Sequence, residues 1–367
     1  MRTRTSSADR FCRVLLLVIF VAVFASPVLA STNQIGSAQL SPIACAAGGI
    51  PDATCYQVVI SNCPDTPSPF VAEIKVNEPG LPSAKGTVFF TVGGGGAAYY
   101  DNNASFMGDA RCPESNCGAM VVQAVNSVGY RTVQTLFQNA NNPSSEPVGW
   151  LTGPSTDGPR SLACRYATLV HTVWVELLGR ESQSPVCATG NSGGGQAIAY
   201  AITQYGMGNE LGPGPLFTMV EPTSGPPTGR IDHGCMGLAA PDPIVTCPAG
   251  AAISENYGVL DAEEYLDPAY PQEYCSIDIE SNGEETHSTF HHDSVLSDDF
   301  PQPSYQTVVR ALFGSADGSA AVPLGLEWYD AITSAKSQAC IQGAPHELPG
   351  FFGGATAIVS DVVNLCR

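Results

Sequence analysis

Along most of this chain, short apolar runs take turns with apolar residues at helical spacing, and the order of these two patterns predicts the architecture. Residues 54–63 and 70–78 alternate partially between proline clusters and predict two antiparallel edge strands. Gly86-Thr-Val-Phe-Phe-Thr-Val92 is apolar without alternation, the pattern of a central strand covered on both faces. A helix from Gly118 to Gly129, a strand from Arg131 to Phe137 and a helix from Arg160 to Leu178 follow, the last with Leu162, Tyr166, Leu169, Val173 and Leu177 at helical spacing. Residues 184–189 then predict a short strand before a helix over 196–205, and Pro215 to Glu221 a further buried strand. Strands and helices joined by short links imply an α/β fold, a mostly parallel sheet with helices on both faces.

The rhythm breaks between 224 and 303, where carboxylates and Cys235, Cys247 and Cys275 come with little periodicity. This stretch reads as an inserted, disulfide-stapled cap or lid, dividing the main domain into 31–223 and 304–367. Regular structure resumes with a strand over 306–313, a helix from Leu324 to Ala339 and a final helix from Gly353 to Leu365. Ahead of all this, arginines at 2, 4, 10 and 13, the apolar run Val14–Phe24 and Ser26-Pro-Val-Leu-Ala30 read as a signal peptide over 1–30. Export to an extracellular or periplasmic compartment is therefore expected.

Charge and cysteine content sharpen that expectation. The formal net charge is −19, with lysines only at 75, 85 and 336. Such a surface repels phosphate backbones and anionic membranes, so neither nucleic acid nor stable membrane insertion is expected. The chain has 13 cysteines, of which only Cys12 lies in the leader. The remaining even set predicts a disulfide framework, with Cys112–Cys117, Cys235–Cys247 and Cys340–Cys366 as the natural guesses. Asn103-Ala-Ser105 is a glycosylation sequon.

The candidate chemistry centres on Gly190-Asn-Ser192-Gly-Gly194, set between a strand and a helix. In that context a serine occupies a strained turn that tolerates no crowding at its neighbours, and its hydroxyl stands clear at the end of a sheet. Ser192 is the candidate nucleophile, and the Gly193 amide at the helix start a candidate oxyanion donor. The glycines at 93–96 follow a buried strand, which suggests backbone that must approach something closely; Gly94, Gly95 and Gly96 are candidates for the second donor. A late strand delivers Asp317, and His346 lies in a loop before the last helix, completing the order Ser, Asp, His. Glu221, at an earlier strand end, is the alternative acid. Tyr99, Tyr100 and Trp150 are candidates for lining an acyl pocket. His171 sits within a helix and reads as a packed residue. His287 and His291 have i, i+4 spacing, but no third ligand accompanies them, so no metal and no cofactor are assigned.

Together the glycine-rich loop, the elbow at Ser192, Gly314-Ser-Ala-Asp317 with Val322-Pro323 beyond it, and Gly343-Ala-Pro-His346 resemble the α/β-hydrolase superfamily, on its serine esterase and lipase side. The resemblance covers Thr54 to Cys366. It implies the α/β-hydrolase fold and cleavage of a small-molecule or polymeric ester through an acyl-enzyme on Ser192, with Asp317 and His346 completing the triad. In one place the chain departs from the commonest esterase pattern: Val92, not histidine, precedes the glycines. Two other functions fit the same scaffold, a serine peptidase and a non-catalytic binding protein.

Overall fold

In the computed structural model, which describes residues 33–137, 149–151, 153, 155–180, 184–209, 217–236, 266–272, 275, 287–297 and 306–367, nine strands form one sheet. They are β1 (Ser37–Ile43), β2 (Thr54–Ser61), β3 (Phe70–Asn77), β4 (Thr87–Thr91), β5 (Arg131–Phe137), β6 (Val186–Asn191), β7 (Met219–Thr223), β8 (Val308–Gly314) and β9 (Lys336–Ile341), in the order β1-β2-β3-β5-β4-β6-β7-β8-β9. The pairings β1–β2, β2–β3 and β3–β5 are antiparallel, and every pairing from β5 through β4 to β9 is parallel.

The continuous apolar run of β4 has a direct explanation. Phe89 packs into one apolar layer while Val88 and Phe90 pack into the other, because successive side chains of a strand leave opposite faces. The first layer contains residues of α3 (Cys164–Glu176) and α4 (Gly193–Thr203); the second contains residues of α1 (Cys117–Ser127) and α8 (Phe352–Leu365). The helix expected over 160–178 is divided into α2 (Gly158–Leu162) and α3, with Ala163 between them. No helix among the described residues is long and apolar enough to cross a membrane.

Two strands lie outside the sequence reading, and both are sheet edges. β1 is largely solvent-accessible and carries Pro42, so it lacks a clear apolar alternation. At the other edge, the helix expected from Leu324 to Ala339 stops early: α7 spans Ala321–Ala331, Ile332 turns extended (φ −73°, ψ 141°), and β9 then pairs with β8. The β9 residues Lys336, Ser337 and Gln338 are exposed, and that polar edge carries little strand signal.

The disulfides correct two of the three pairings expected. Cys112–Cys117 forms, but Cys235 pairs with Cys275 and Cys366 pairs with Cys187; Cys45–Cys55 and Cys63–Cys164 complete the pairs among the described residues. Cys340 is also disulfide-bonded. Cys187 lies in β6, 179 positions before Cys366, so its bridge fastens the chain's end to the central sheet, where the Tyr130 hydroxyl also donates to the Cys366 carbonyl at 2.6 Å. In the region expected to form a cap, α5 (Ile231–Met236) packs against α6 (His287–Asp293). Residues 1–30, expected to form a signal peptide, Cys247 and residues 139–148 lie outside the described residues.

A buried ion pair braces the antiparallel half beside the glycine-rich loop. Lys75 Nζ lies 2.7 Å from Asp101 Oδ2, with both side chains almost wholly buried. The same carboxylate oxygen accepts from the Ile50 amide at 2.8 Å, and the Asp101 amide donates to Gln134 Oε1 at 2.8 Å. Removing only the cation strands a buried carboxylate. Lys75→Met is therefore expected to destabilise the protein by about 3–5 kcal/mol in denaturant unfolding, well beyond the cost of a surface lysine.

Candidate active site

The site is built where parallel strands end. Ser192 follows β6 with φ 49° and ψ −116°, a left-handed φ that a residue with a Cβ adopts only when its surroundings enforce it. Its amide donates to the Thr223 carbonyl at 2.8 Å, and its own carbonyl accepts from the Gln196 amide at 2.9 Å, so one residue is tied to both β7 and the first turn of α4. Glycine is required on either side. A Cβ on Gly190 would sit 2.6 Å from the Gly194 carbonyl carbon, and one on Gly194 would sit 2.6 Å from the Thr91 carbonyl oxygen. The helix start is thus pressed directly against the end of β4.

The glycine-rich loop lies over that junction. The Gly94 carbonyl occupies the place a Gly193 Cβ would need, and Ser192 Cβ is 3.4 Å from where a Gly93 Cβ would stand. The Gly96 amide donates to the Gly93 carbonyl at 3.1 Å, closing the turn, so it is spent and does not serve as an oxyanion donor. Gly94 and Gly95 keep their candidacy beside Gly193. A buried cation that sequence reading missed holds this loop from behind. Arg165 Nη1 donates to the Trp150 carbonyl at 2.7 Å, and the Trp150 amide donates to the Gly95 carbonyl at 2.8 Å. The guanidinium stacks 4.1 Å from the Phe70 ring centroid; burial pushes its pKa down to about 9, so it stays charged at neutral pH.

Asp317 and His346 meet at the ends of β8 and β9. His346 Nδ1 donates to Asp317 Oδ2 at 2.9 Å, and the Ser319 hydroxyl is 3.0 Å from the same nitrogen. The Ser319 amide donates to Asp317 Oδ1 at 3.0 Å. The Asp317 side chain is wholly buried and that of His346 is 28% exposed, so the acid is sheltered while the ring reaches the surface. Burial alone would raise the Asp317 pKa, but the hydrogen bond and charge of His346 and the bonds from Ser319 outweigh it and leave the carboxyl below its usual range. Burial likewise works against the imidazolium, yet Asp317 prevails and raises the His346 pKa above its ordinary value. No hydrogen bond joins Ser192 to His346 among the described residues; such contacts are often open before substrate binds.

Other expected participants are elsewhere. Glu221 is buried within β7, where Thr189 Oγ1 donates to its Oε1 at 3.2 Å; burial holds its carboxyl well above the usual range, and His346 Nδ1 is already taken by Asp317 and Ser319. Tyr100 and Trp150 are wholly buried and Tyr99 nearly so, hence they pack and do not line an open pocket. His171 lies in α3 with its ring 6.2 Å from that of Trp174. Asp157, His292 and Asp293 bring ligand atoms within 4.8 Å of one another, but Arg160 Nη1 sits 2.7 Å from His292 Nε2 and already places a positive charge there.

No family model matches the chain, and no curated protein matches it. Solved structures do. The acylaminoacyl peptidase of Pyrococcus horikoshii aligns with a TM-score of 0.50 at 12% identity, over 88% of this chain and 50% of that one. Mouse alpha/beta hydrolase domain-containing protein 10 aligns at 0.47 and 12%, over 89% and 98%, and the esterase Est22 at 0.46 and 15%, over 99% and 88%. The chain has the α/β-hydrolase fold. At these identities the likeness speaks for the fold alone. Within this α/β-hydrolase fold, Ser192, Asp317 and His346 all follow the carboxyl ends of neighbouring parallel strands, because β6, β7, β8 and β9 run in one direction.

The raised His346 pKa has a testable sign. A base at Nε2 must be neutral, so proton abstraction fades as pH falls through a value above the ordinary 6.5. The alkaline-going limb of kcat/KM is expected above pH 6.5, and Asp317→Asn, which removes the anion, is expected to move that limb downward in a pH–rate profile.

Proposed function

We propose that this protein is an exported serine hydrolase that cleaves carboxylic esters through Ser192, His346 and Asp317. The observation that carries the reading is the strained Ser192, φ 49°, at a strand–helix junction on the sheet end where Asp317 holds His346 Nδ1 at 2.9 Å. That combination is difficult to account for as packing, since a left-handed serine costs energy and a buried acid orients the ring of a partly exposed base.

In this mechanism Ser192 Oγ attacks the ester carbonyl carbon while its proton passes to His346 Nε2. The carbonyl electron pair moves onto oxygen, and the Gly193 amide with that of Gly94 or Gly95 stabilises the resulting oxyanion. Collapse restores the carbonyl, breaks the bond to the alkoxy oxygen, and returns the proton from His346 to the leaving alcohol. Water, deprotonated by His346, then attacks the acyl-enzyme, releases the acid and regenerates Ser192. Throughout, Asp317 keeps the proton on Nδ1 and offsets the charge of the imidazolium. Five disulfides among the described residues, together with the basic-then-apolar segment 1–30, support an oxidising destination outside the cytosol. Residues 224–303 are assigned as the cap inserted between the two parts of the hydrolase domain.

The decisive experiment is turnover of p-nitrophenyl esters from acetate to palmitate, with matched p-nitroanilides, combined with fluorophosphonate labelling and peptide mapping. The label is expected on Ser192, with esters favoured over anilides. Ser192→Ala is expected to lose about 10⁶-fold in kcat and Asp317→Asn about 10⁴-fold. Preference for anilides moves the assignment to a peptidase; an oxidised protein with neither label nor turnover moves it to a binding role.

A further inference from the structure

The turn after β8 contains a residue that touches both members of the acid–base pair. Asp317-Gly318-Ser319 forms a loop in which the Ser319 amide reaches back to Asp317 Oδ1 at 3.0 Å, while the Ser319 hydroxyl faces His346 Nδ1 at 3.0 Å. Asp317 Oδ2 approaches the same nitrogen at 2.9 Å. One ring nitrogen therefore has two oxygen neighbours, one ionic and one neutral.

Proton counting sets the direction of these bonds. If Nε2 is to accept a proton from Ser192, Nδ1 must already carry one, and an N–H has no lone pair to offer. The Ser319 oxygen must then be an acceptor, sharing the Nδ1–H with Asp317. The Ser319 amide meanwhile donates to Asp317 Oδ1, which favours the carboxylate in its ionised form. Two acceptors on one N–H resist rotation of the imidazole about its Cβ–Cγ bond more strongly than one does. They also keep the ring in the tautomer that leaves Nε2 bare.

We propose that Ser319 is a positioning residue for His346: its hydroxyl, at hydrogen-bond distance from Nδ1, fixes the ring's orientation and tautomer jointly with Asp317. This assignment rests on the reading of Ser192 and His346 as nucleophile and base. Ser319 is half-buried, and only the hydroxyl bears on His346, so Ser319→Ala retains the amide bond to Asp317 that shapes the turn.

The test compares full-length wild type, Ser319→Ala and Ser319→Thr for p-nitrophenyl acetate turnover, fluorophosphonate labelling rate at Ser192, and melting temperature. Loss of one neutral hydrogen bond made to the base is expected to lower kcat about tenfold with KM within about twofold of wild type. Labelling should slow in parallel, the melting temperature should hold, and threonine, which keeps the hydroxyl, should restore kcat to within about threefold. A labelled wild type with Ser319→Ala at full rate overturns the positioning role and leaves the triad standing. Equal losses in the alanine and threonine variants, or a loss that follows a fallen melting temperature, assign Ser319 to folding and also overturn it. A wild type that takes no label on Ser192 overturns the reading of the site, and this assignment with it.

Discussion

A single backbone constraint organises this protein: Ser192 is held at a left-handed φ between β6 and α4. The conformation persists because its surroundings leave no alternative. The Ser192 amide is bonded to β7, its carbonyl caps the first turn of α4, and Gly190 and Gly194 let the turn close against β4 without side chains between them. Any relaxation would have to separate an almost wholly buried helix from a central strand. The α4 residues from Gly193 to Ile202 are all buried, so the packing of the whole helix stands behind one strained residue.

The same logic extends to the pieces around the elbow. The glycine-rich loop is pinned by its own Gly93–Gly96 turn and by Trp150, and Trp150 is pinned by the buried Arg165. Beside it, Lys75 and Asp101 lock the neighbouring loop onto the antiparallel half of the sheet. On the opposite flank the Asp317 turn leans on β9 and its loop, with the Ala316 amide donating to the Ala344 carbonyl at 2.9 Å and the Gly343 amide to Ser315 Oγ at 2.7 Å. These directed hydrogen bonds and the ion pair give the site defined geometry where apolar packing alone would allow several arrangements.

The sheet explains why such distant residues converge. Ser192, Asp317 and His346 span more than 150 positions of sequence, yet β6, β7, β8 and β9 are parallel neighbours and deliver their carboxyl ends to one edge. Parallel pairing needs crossovers, and those crossovers are the helices that cover both faces. The Cys187–Cys366 bridge then ties the final helix to the strand that bears the elbow.

Much of this was legible in the residues themselves, and the reason is local. The run through Phe89 and Phe90, the glycines flanking Ser192 and the helical spacing of α1, α3, α4 and α8 are short-range features whose meaning depends on neighbours in the chain, and the order of Ser192, Asp317 and His346 is read directly along it. Edge strands β1 and β9 escaped because partial exposure on an edge removes the apolar pattern that marks a strand. Disulfide partners such as Cys187 with Cys366, the support of Trp150 by Arg165, and the contact of Ser319 with His346 depend on which segments the sheet order makes neighbours. Sequence by itself determined the central elements and the chemical groups; tertiary structure alone decided the edge strands and which of those groups touch, because distance in space is set by the parallel sheet and not by position along the chain.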